Sequence, residues 1–279
     1  MLLLALDTST RQASVALCNE ERLYGEYTWH VGNNHSVELL ERVQRLLAES
    51  ELAMSALDGV VVATGPGSFN GVRVAVASAK TLAFALRKPL VGISTLEAGA
   101  AQHQQWPGLV CSLLEAGRTE LYTACYLFDG QEHDGVVTYR PRQLGTYQVL
   151  APREIAHYVQ SQILPQLEPA GEIRAFPCLF CGEIDARSRQ ALSIHMSGPA
   201  FFAPAIWSVR RASVLASLAR QRLAENLLDD PLALEPLYLR RPSITTSARK
   251  QPLLGKKTIS TDQPNNQQNT EREEGALRH

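Results

Sequence analysis

The chain is poor in what a membrane span, a disulfide framework or a histidine-built metal centre requires. Its longest uninterrupted apolar run, Met1 to Leu6, falls far short of the about 20 residues of a bilayer-spanning helix. That run is no signal peptide either, because it lacks a basic start and Asp7 interrupts it. Cys18, Cys111, Cys125, Cys178 and Cys181 number 5, and an odd count argues against a secreted disulfide scaffold. Neither charge dominates: Lys+Arg 27 against Asp+Glu 28 leaves −1, so no global basic field points to nucleic acid. HExxH, paired-histidine, GxSxG and Walker A patterns are all missing. The expectation is a cytoplasmic protein with reduced thiols and no membrane contact.

What remains is globular. The 279 residues, 45% hydrophobic and 20% charged, suffice for about two domains of roughly 150 residues with a core that needs no metal or disulfide. Residues 2–6, 13–17 and 22–29 read as three strands. Residues 35–49 place Val37, Leu40, Val43 and Leu47 on one side, widened by Leu39 and Leu46, and so predict a helix. Residues 59–63 form a short apolar strand of the kind buried on both faces. A glycine-rich turn follows, then an alanine-rich helix from about 72 to 86, a strand at 89–92 and a helix that Thr95 can cap. Strands first and β-α-β-α after them make an α/β domain with a mixed sheet.

Residues 105–108 read as a linker, after which a strand ending at Glu115 and a second at 121–128 start the pattern again. Setting Asp7 on Glu115, an offset of 108, places both acids at a strand end before a hairpin, a faint internal duplication. Helices from about 153, at 186–192 and at 212–226, with a strand near 176–181, complete this part. The expected division is residues 1–106, residues 107–242, and a disordered polar tail, 243–279, too poor in apolar groups to order itself.

Several groups can carry chemistry. Asp7-Thr-Ser-Thr10 sits between two strands. A carboxylate there can hold a hydrated Mg²⁺ and its neighbours a phosphate, although the same residues favour plain turns. Gly65, Gly67 and Ser68 lie in a turn at a helix start, which is either an anion site or a tight turn with Asn70 as the cap. Cys178-Leu-Phe-Cys181 has no second pair at metal spacing and ends a strand, so it reads as core. His35, beside Ser36, reads as a cap or a packed side chain. Ala75, Ala79 and Ala83 lie four apart on one helix face, which either packs inside one domain or receives another helix closely. The first helix, apolar around more than half its circumference, favours a partner surface.

In order along the chain, Leu4-Ala-Leu-Asp-Thr-Ser-Thr10 with Ala13-Ser-Val-Ala16, His35-Ser36, Gly65-Pro-Gly-Ser-Phe-Asn-Gly-Val-Arg73 and Leu90-Val-Gly-Ile-Ser-Thr-Leu-Glu97 resemble the TsaB (YeaZ-type) family of bacterial tRNA threonylcarbamoyladenosine biosynthesis proteins. The second half resembles it loosely, through Leu113-Leu-Glu-Ala-Gly-Arg-Thr-Glu-Leu-Tyr122 and Glu235-Pro-Leu-Tyr-Leu-Arg240. Asn70 stands where the family usually has threonine, and Glu115 where it usually has aspartate.

The resemblance implies an actin/Hsp70-like ATPase (ASKHA) fold of two ribonuclease H-like lobes, each a mixed sheet flanked by helices. It implies a non-catalytic subunit with no metal and no tightly bound cofactor, ATP or ADP with Mg²⁺ entering only in a complex. The implied partners are a TsaD-type catalytic paralogue and a TsaE-type P-loop ATPase. The paralogue transfers threonylcarbamoyl to N6 of the adenosine beside the anticodon, in tRNAs reading codons that start with A. Contact with tRNA is then indirect, and a homodimer of the chain alone is compatible with the same surface. The implied interface comprises His35, Leu39, Val43, Leu46, Arg73, Ala75, Ala79 and Ala83 on the first two helices. Asp7, Thr8, Ser9, Thr10, Gly65, Gly67 and Ser68 make at most a weak phosphate site, because the second hairpin offers Ala116 and Gly117 opposite Thr8 and Ser9 and half of the hydroxyl clasp is absent. A kinase of this fold or a glycoprotease-type metalloprotease is the alternative, and each needs groups the sequence lacks.

Overall fold

Ten strands pair into two five-stranded mixed sheets in a computed structural model that describes residues 1–31, 35–167 and 176–240. The expected tail, 243–279, lies outside the described residues. In the first sheet β1 (Leu3–Asp7), β2 (Gln12–Cys18) and β3 (Leu23–His30) form an antiparallel meander. There β4 (Gly59–Ala63) and β5 (Leu90–Ile93) add in parallel beside β1, giving the order β3-β2-β1-β4-β5. The second sheet repeats this with β6 (Leu109–Gly117), β7 (Glu120–His133), β8 (Val136–Leu150), β9 (Cys178–Gly182) and β10 (Ala200–Phe202). The helices recur at matching places: α1 (His35–Glu49), α2 (Phe69–Leu86) and α3 (Thr95–Ala101), then α4 (Pro152–Tyr158), α5 (Ala186–His195) and α6 (Ala212–Ala224). Equal order and equal strand senses make this a duplicated α/β fold of two halves, each a mixed five-stranded sheet flanked by helices, as expected of the two-lobed architecture.

Strand alternation sends successive side chains to opposite faces. Leu4, Leu6, Val15, Leu17, Val60 and Val62 meet α1 and α2 on one face. Leu3, Ala5, Ala16, Val61 and Ala63 meet Ala212, Leu215, Ala216 and Ala219 of α6 on the other. A helix from the far end of the chain, placed by the sequence in 107–242, therefore completes the first sheet. The exchange is mutual. From the first half, α3 lies on the second sheet, with Leu96 and Ala100 against Val110, Leu114, Ala124 and Tyr126. The remaining face carries α4 and α5, through Ile155, Ala156 and Leu192. Small residues permit the close fit of α3: a Cβ on Gly99 would lie 2.7 Å from Ser112 Oγ. The two exchanged helices meet where Arg222 Nη2 donates to both Glu97 oxygens, at 2.9 and 2.7 Å. Burial pushes the Glu97 pKa up, and Arg222 pulls it back.

After α6 the chain returns as a strap. Gly92 N donates to Asp229 Oδ2 (2.7 Å), Lys80 Nζ to the Leu234 carbonyl (2.9 Å), and Leu237 N to the Thr64 carbonyl (2.7 Å). Sequence patterning missed β8, an exposed edge strand whose polar run and Pro141 resemble a loop, and the three-residue β10. It also placed the α2 cap on Asn70. Instead α2 begins at Phe69, and Ser68 Oγ accepts from Gly71 N at 3.4 Å. All five cysteines are buried and free, and burial pushes Cys178 and Cys181 up to about 12.

Candidate functional site

Asp7 ends β1, and the residues beyond it turn tightly into β2. Its carboxylate is 1% exposed and fully occupied by donors. Oδ1 accepts from Ser9 N at 2.7 Å and from Ser9 Oγ at 2.5 Å, a local turn of the kind Asp favours. Oδ2 accepts from Arg210 Nε at 3.0 Å. Arg210, 2% exposed, comes from the loop before α6. Its Nη1 donates to Glu183 Oε1 at 2.6 Å, and its Nη2 to Thr10 Oγ1 at 2.6 Å and the Gln12 carbonyl at 3.1 Å. Thr10 Oγ1 in turn donates to Glu183 Oε1 at 2.7 Å. Burial alone would weaken the charge on Arg210, but Asp7 and Glu183 outweigh it and raise its pKa. Such a buried ion pair is worth keeping only when further hydrogen bonds satisfy its members, and here they do.

The glycine-rich turn closes on the same hairpin. Ser68 N donates to the Ser9 carbonyl (2.6 Å), and Thr8 Oγ1 to the Gly71 carbonyl (2.6 Å). A Cβ on Gly67 would stand 2.0 Å from Ser9 O, and one on Gly71 2.0 Å from Thr8 O, so glycine is needed for backbone approach. The structure thus brings Asp7, Thr8, Ser9, Thr10, Gly67 and Ser68 together but engages their polar groups within the protein, whereas Gly65 turns elsewhere, its carbonyl accepting from Thr95 N at 2.7 Å. The expectation of helix-start amides open to a phosphate is corrected for Ser68, whose amide is taken by Ser9. As placed, the carboxylate and hydroxyls do not fit a magnesium–nucleotide, since each already has a protein partner. Among the described residues, no group of three His, Cys, Asp or Glu side chains is placed to hold a metal ion. The counterpart Glu115 is exposed at the second hairpin.

The alanine face is corrected outright. Ala75, Ala79 and Ala83 are buried against α1 and the first sheet, together with Leu39, Val43 and Leu46. Small side chains are needed there so that α2 can lie close to its own core, which leaves this stripe no surface to offer a partner. His35 opens α1, and its side chain lies outside the described residues. Arg73 does face solvent, with its guanidinium 4.3 Å over the Phe69 ring, which itself lies 5.2 Å from Tyr238. Along the outer side of the helix pair, Phe84 is 69% and Leu40 45% exposed. An open cleft of 410 Å³ beside the Asp7 network is lined by Arg11, Gln12, Glu183, Arg189 and Ser208, among others. Sequence reasoning missed Arg210 and Glu183, because no motif links positions 203 and 173 residues from their partners.

Comparison with known proteins agrees with this geometry. Residues 30–247 match the family described as TsaD, tRNA N6-adenosine threonylcarbamoyltransferase. The tRNA threonylcarbamoyladenosine biosynthesis protein TsaB of Bacillus subtilis (strain 168) is 31% identical over 240 residues, 86% of this chain and 94% of the relative. A tRNA N6-adenosine threonylcarbamoyltransferase of Methylobacterium nodulans is 37% identical over 107 residues, covering 37% of this chain and 31% of that protein. The solved structure of YeaZ from Pseudomonas aeruginosa superposes with a TM-score of 0.64 at 30% identity, covering 85% of this chain and 99% of the other. No helix among the described residues is long and apolar enough to cross a membrane. Alike over 86% of its length to a TsaB protein and matched over residues 30–247 by the TsaD model, the chain belongs to the TsaB (YeaZ) family of tRNA threonylcarbamoyladenosine biosynthesis proteins, within the wider TsaD-type family.

Proposed function

We propose that the chain is the non-catalytic subunit that binds and activates a TsaD-type threonylcarbamoyltransferase. The acceptor is N6 of the adenosine beside the anticodon, in tRNAs reading codons that start with A. The observation that carries this reading is the engaged carboxylate: Asp7 and the hydroxyls around it are held by Arg210, Ser9 and Gly71 rather than presented to a substrate. Group transfer then belongs to the TsaD-type partner, and nucleotide turnover to that partner and a TsaE-type P-loop ATPase. Any ATP or ADP with Mg²⁺ is met in the complex, tRNA is met through it, and the assembly is cytoplasmic.

The docking surface in this reading is the outer side of α1 and α2, with Leu40, Arg73 and Phe84 exposed, rather than the buried alanines. An exposed Phe near one end of α2 and an exposed Arg–Phe stack near its other end give the helix aromatic and arginine groups of the kind enriched at contacts. The same surface serves a homodimer when the chain is alone. Phe84→Asp tests the proposal, since solvent accepts the new charge in the free chain but a packed interface does not. Size-exclusion chromatography with the TsaD-type paralogue should give co-elution for the wild type and none for Phe84→Asp, with unchanged circular dichroism. Co-elution of both would remove this face from the interface, and co-elution of neither would sink the partner role.

A further inference from the structure

We propose that Arg210 is a clasp: a tethered, buried guanidinium whose separate N–H groups hold the two halves of the fold closed. Asp7, Thr10 and Gln12 belong to the first hairpin and its return strand, Glu183 follows β9 of the second sheet, and Arg210 leads into α6. One side chain therefore joins three segments that are remote in sequence. The atoms facing it are Asp7 Oδ2, Glu183 Oε1, Thr10 Oγ1 and the Gln12 carbonyl. Carboxylate, hydroxyl and carbonyl oxygens are spread around the guanidinium, each bonded to an N–H rather than gathered at a single centre.

A guanidinium differs from a metal ion in two ways. It cannot dissociate, and its N–H groups radiate in one plane toward several acceptors at once. Arg210 uses both: Nε, Nη1 and Nη2 each take a different partner, and its own backbone N–H donates to Gln12 Oε1 at 2.9 Å. Its place in the chain adds the mechanical consequence. Immediately after it, α6 crosses to cover the first sheet, and next to it Arg211 Nε donates to Glu26 Oε2 of β3 at 2.8 Å. Closure of the halves and docking of the exchanged helix are fastened at one point. This goes beyond the partner role and does not depend on it.

Thermal unfolding of the full chain tests the clasp without any substitution. The midpoint should stay put on adding EDTA, millimolar MgCl₂ or Mg·ADP. A rise of several degrees with either magnesium addition overturns the proposal, because the oxygens would then be open to a true cation. Arg210→Ala should unfold at a lower temperature and recover part of the loss in millimolar guanidinium chloride, but not in sodium chloride of equal ionic strength. A folded Arg210→Ala without that recovery also overturns it. Should Arg210→Ala fail to fold, Arg210→Lys keeps the charge and loses the planar fork. Hydrogen exchange should then quicken together at residues 8–12, 183–185 and 212–216. Quickening confined to residues 208–212 would mean a local role only, and the clasp falls.

Discussion

The two hairpins of the duplicated fold treat their acidic residue in opposite ways. Asp7 is buried beneath three donors, two from Ser9 and one from Arg210. Glu115, its counterpart, stands exposed, and its hairpin is tied through other atoms, with Arg240 Nη1 donating to the Ala116 carbonyl at 3.2 Å and Arg240 Nη2 to Glu120. Both copies nevertheless keep the same strand order. The difference shows which part of a duplication is held firmly. Topology follows from apolar alternation spread over dozens of residues, and a few changes do not disturb it. A polar group at a strand tip is constrained only where burial demands a partner; exposed, its ion pairs contribute little.

The same contrast holds for the helices. The inner face of α2 is a full stripe of buried residues, whereas α5 buries only Leu192. The largest effect that tests this comparison is Ala79→Arg, which puts an unpaired charge into the first half's core and should abolish folding, as read by circular dichroism. Ser193→Arg, on the exposed side of α5 in the second half, should leave stability within about 0.5 kcal/mol. A folded Ala79→Arg protein would break the distinction and return the alanine stripe to the surface.

Next in size are the two arginines that hold the hairpins. Arg210→Met strands two carboxylates and should cost about 3–5 kcal/mol in urea unfolding. Arg240→Met removes a partly exposed pair and should cost about 0.2–1 kcal/mol. Equal losses would mean that both hairpins are clasped alike. Smaller again, Asp7→Asn keeps the shape of the turn but weakens charge-assisted bonds, for a loss of about 1–3 kcal/mol. Glu115→Gln should be silent by the same measurement.

The smallest effect concerns pH. Burial raises Cys178 and Cys181 to about 12, so the folded second sheet keeps protons that an unfolded chain releases from about pH 8.5 upward. Their contribution to stability is complete below the unfolded thiol pKa and is lost as pH rises toward about 12. Thermal midpoints should therefore fall between pH 8 and pH 10, and less so in a Cys178→Ala, Cys181→Ala variant. Native thiols should also resist alkylation until the chain is unfolded, when 5 react.

Much of the fold could be read from the amino-acid sequence because it rests on local chemistry. Unbroken apolar runs identified β1 and β4, alternation identified β2, helical periodicity identified α1 and α2, and the offset from Asp7 to Glu115 exposed the duplication. The glycines at 67 and 71 stood out because backbone had to approach backbone there. Edge strand β8 escaped because an exposed ribbon buries too little to leave a pattern.

Direction of burial was a different matter. An alanine stripe looks the same whether it meets its own sheet or another chain, and only tertiary packing showed that Ala75, Ala79 and Ala83 face inward. Likewise an Asp-Thr-Ser-Thr turn is ready for a cation in sequence terms. What decided its use was Arg210, brought by the exchange of α3 and α6 from 203 residues away. Local propensity sets which atoms are available, but a buried charge takes its meaning from the partner that the whole fold delivers.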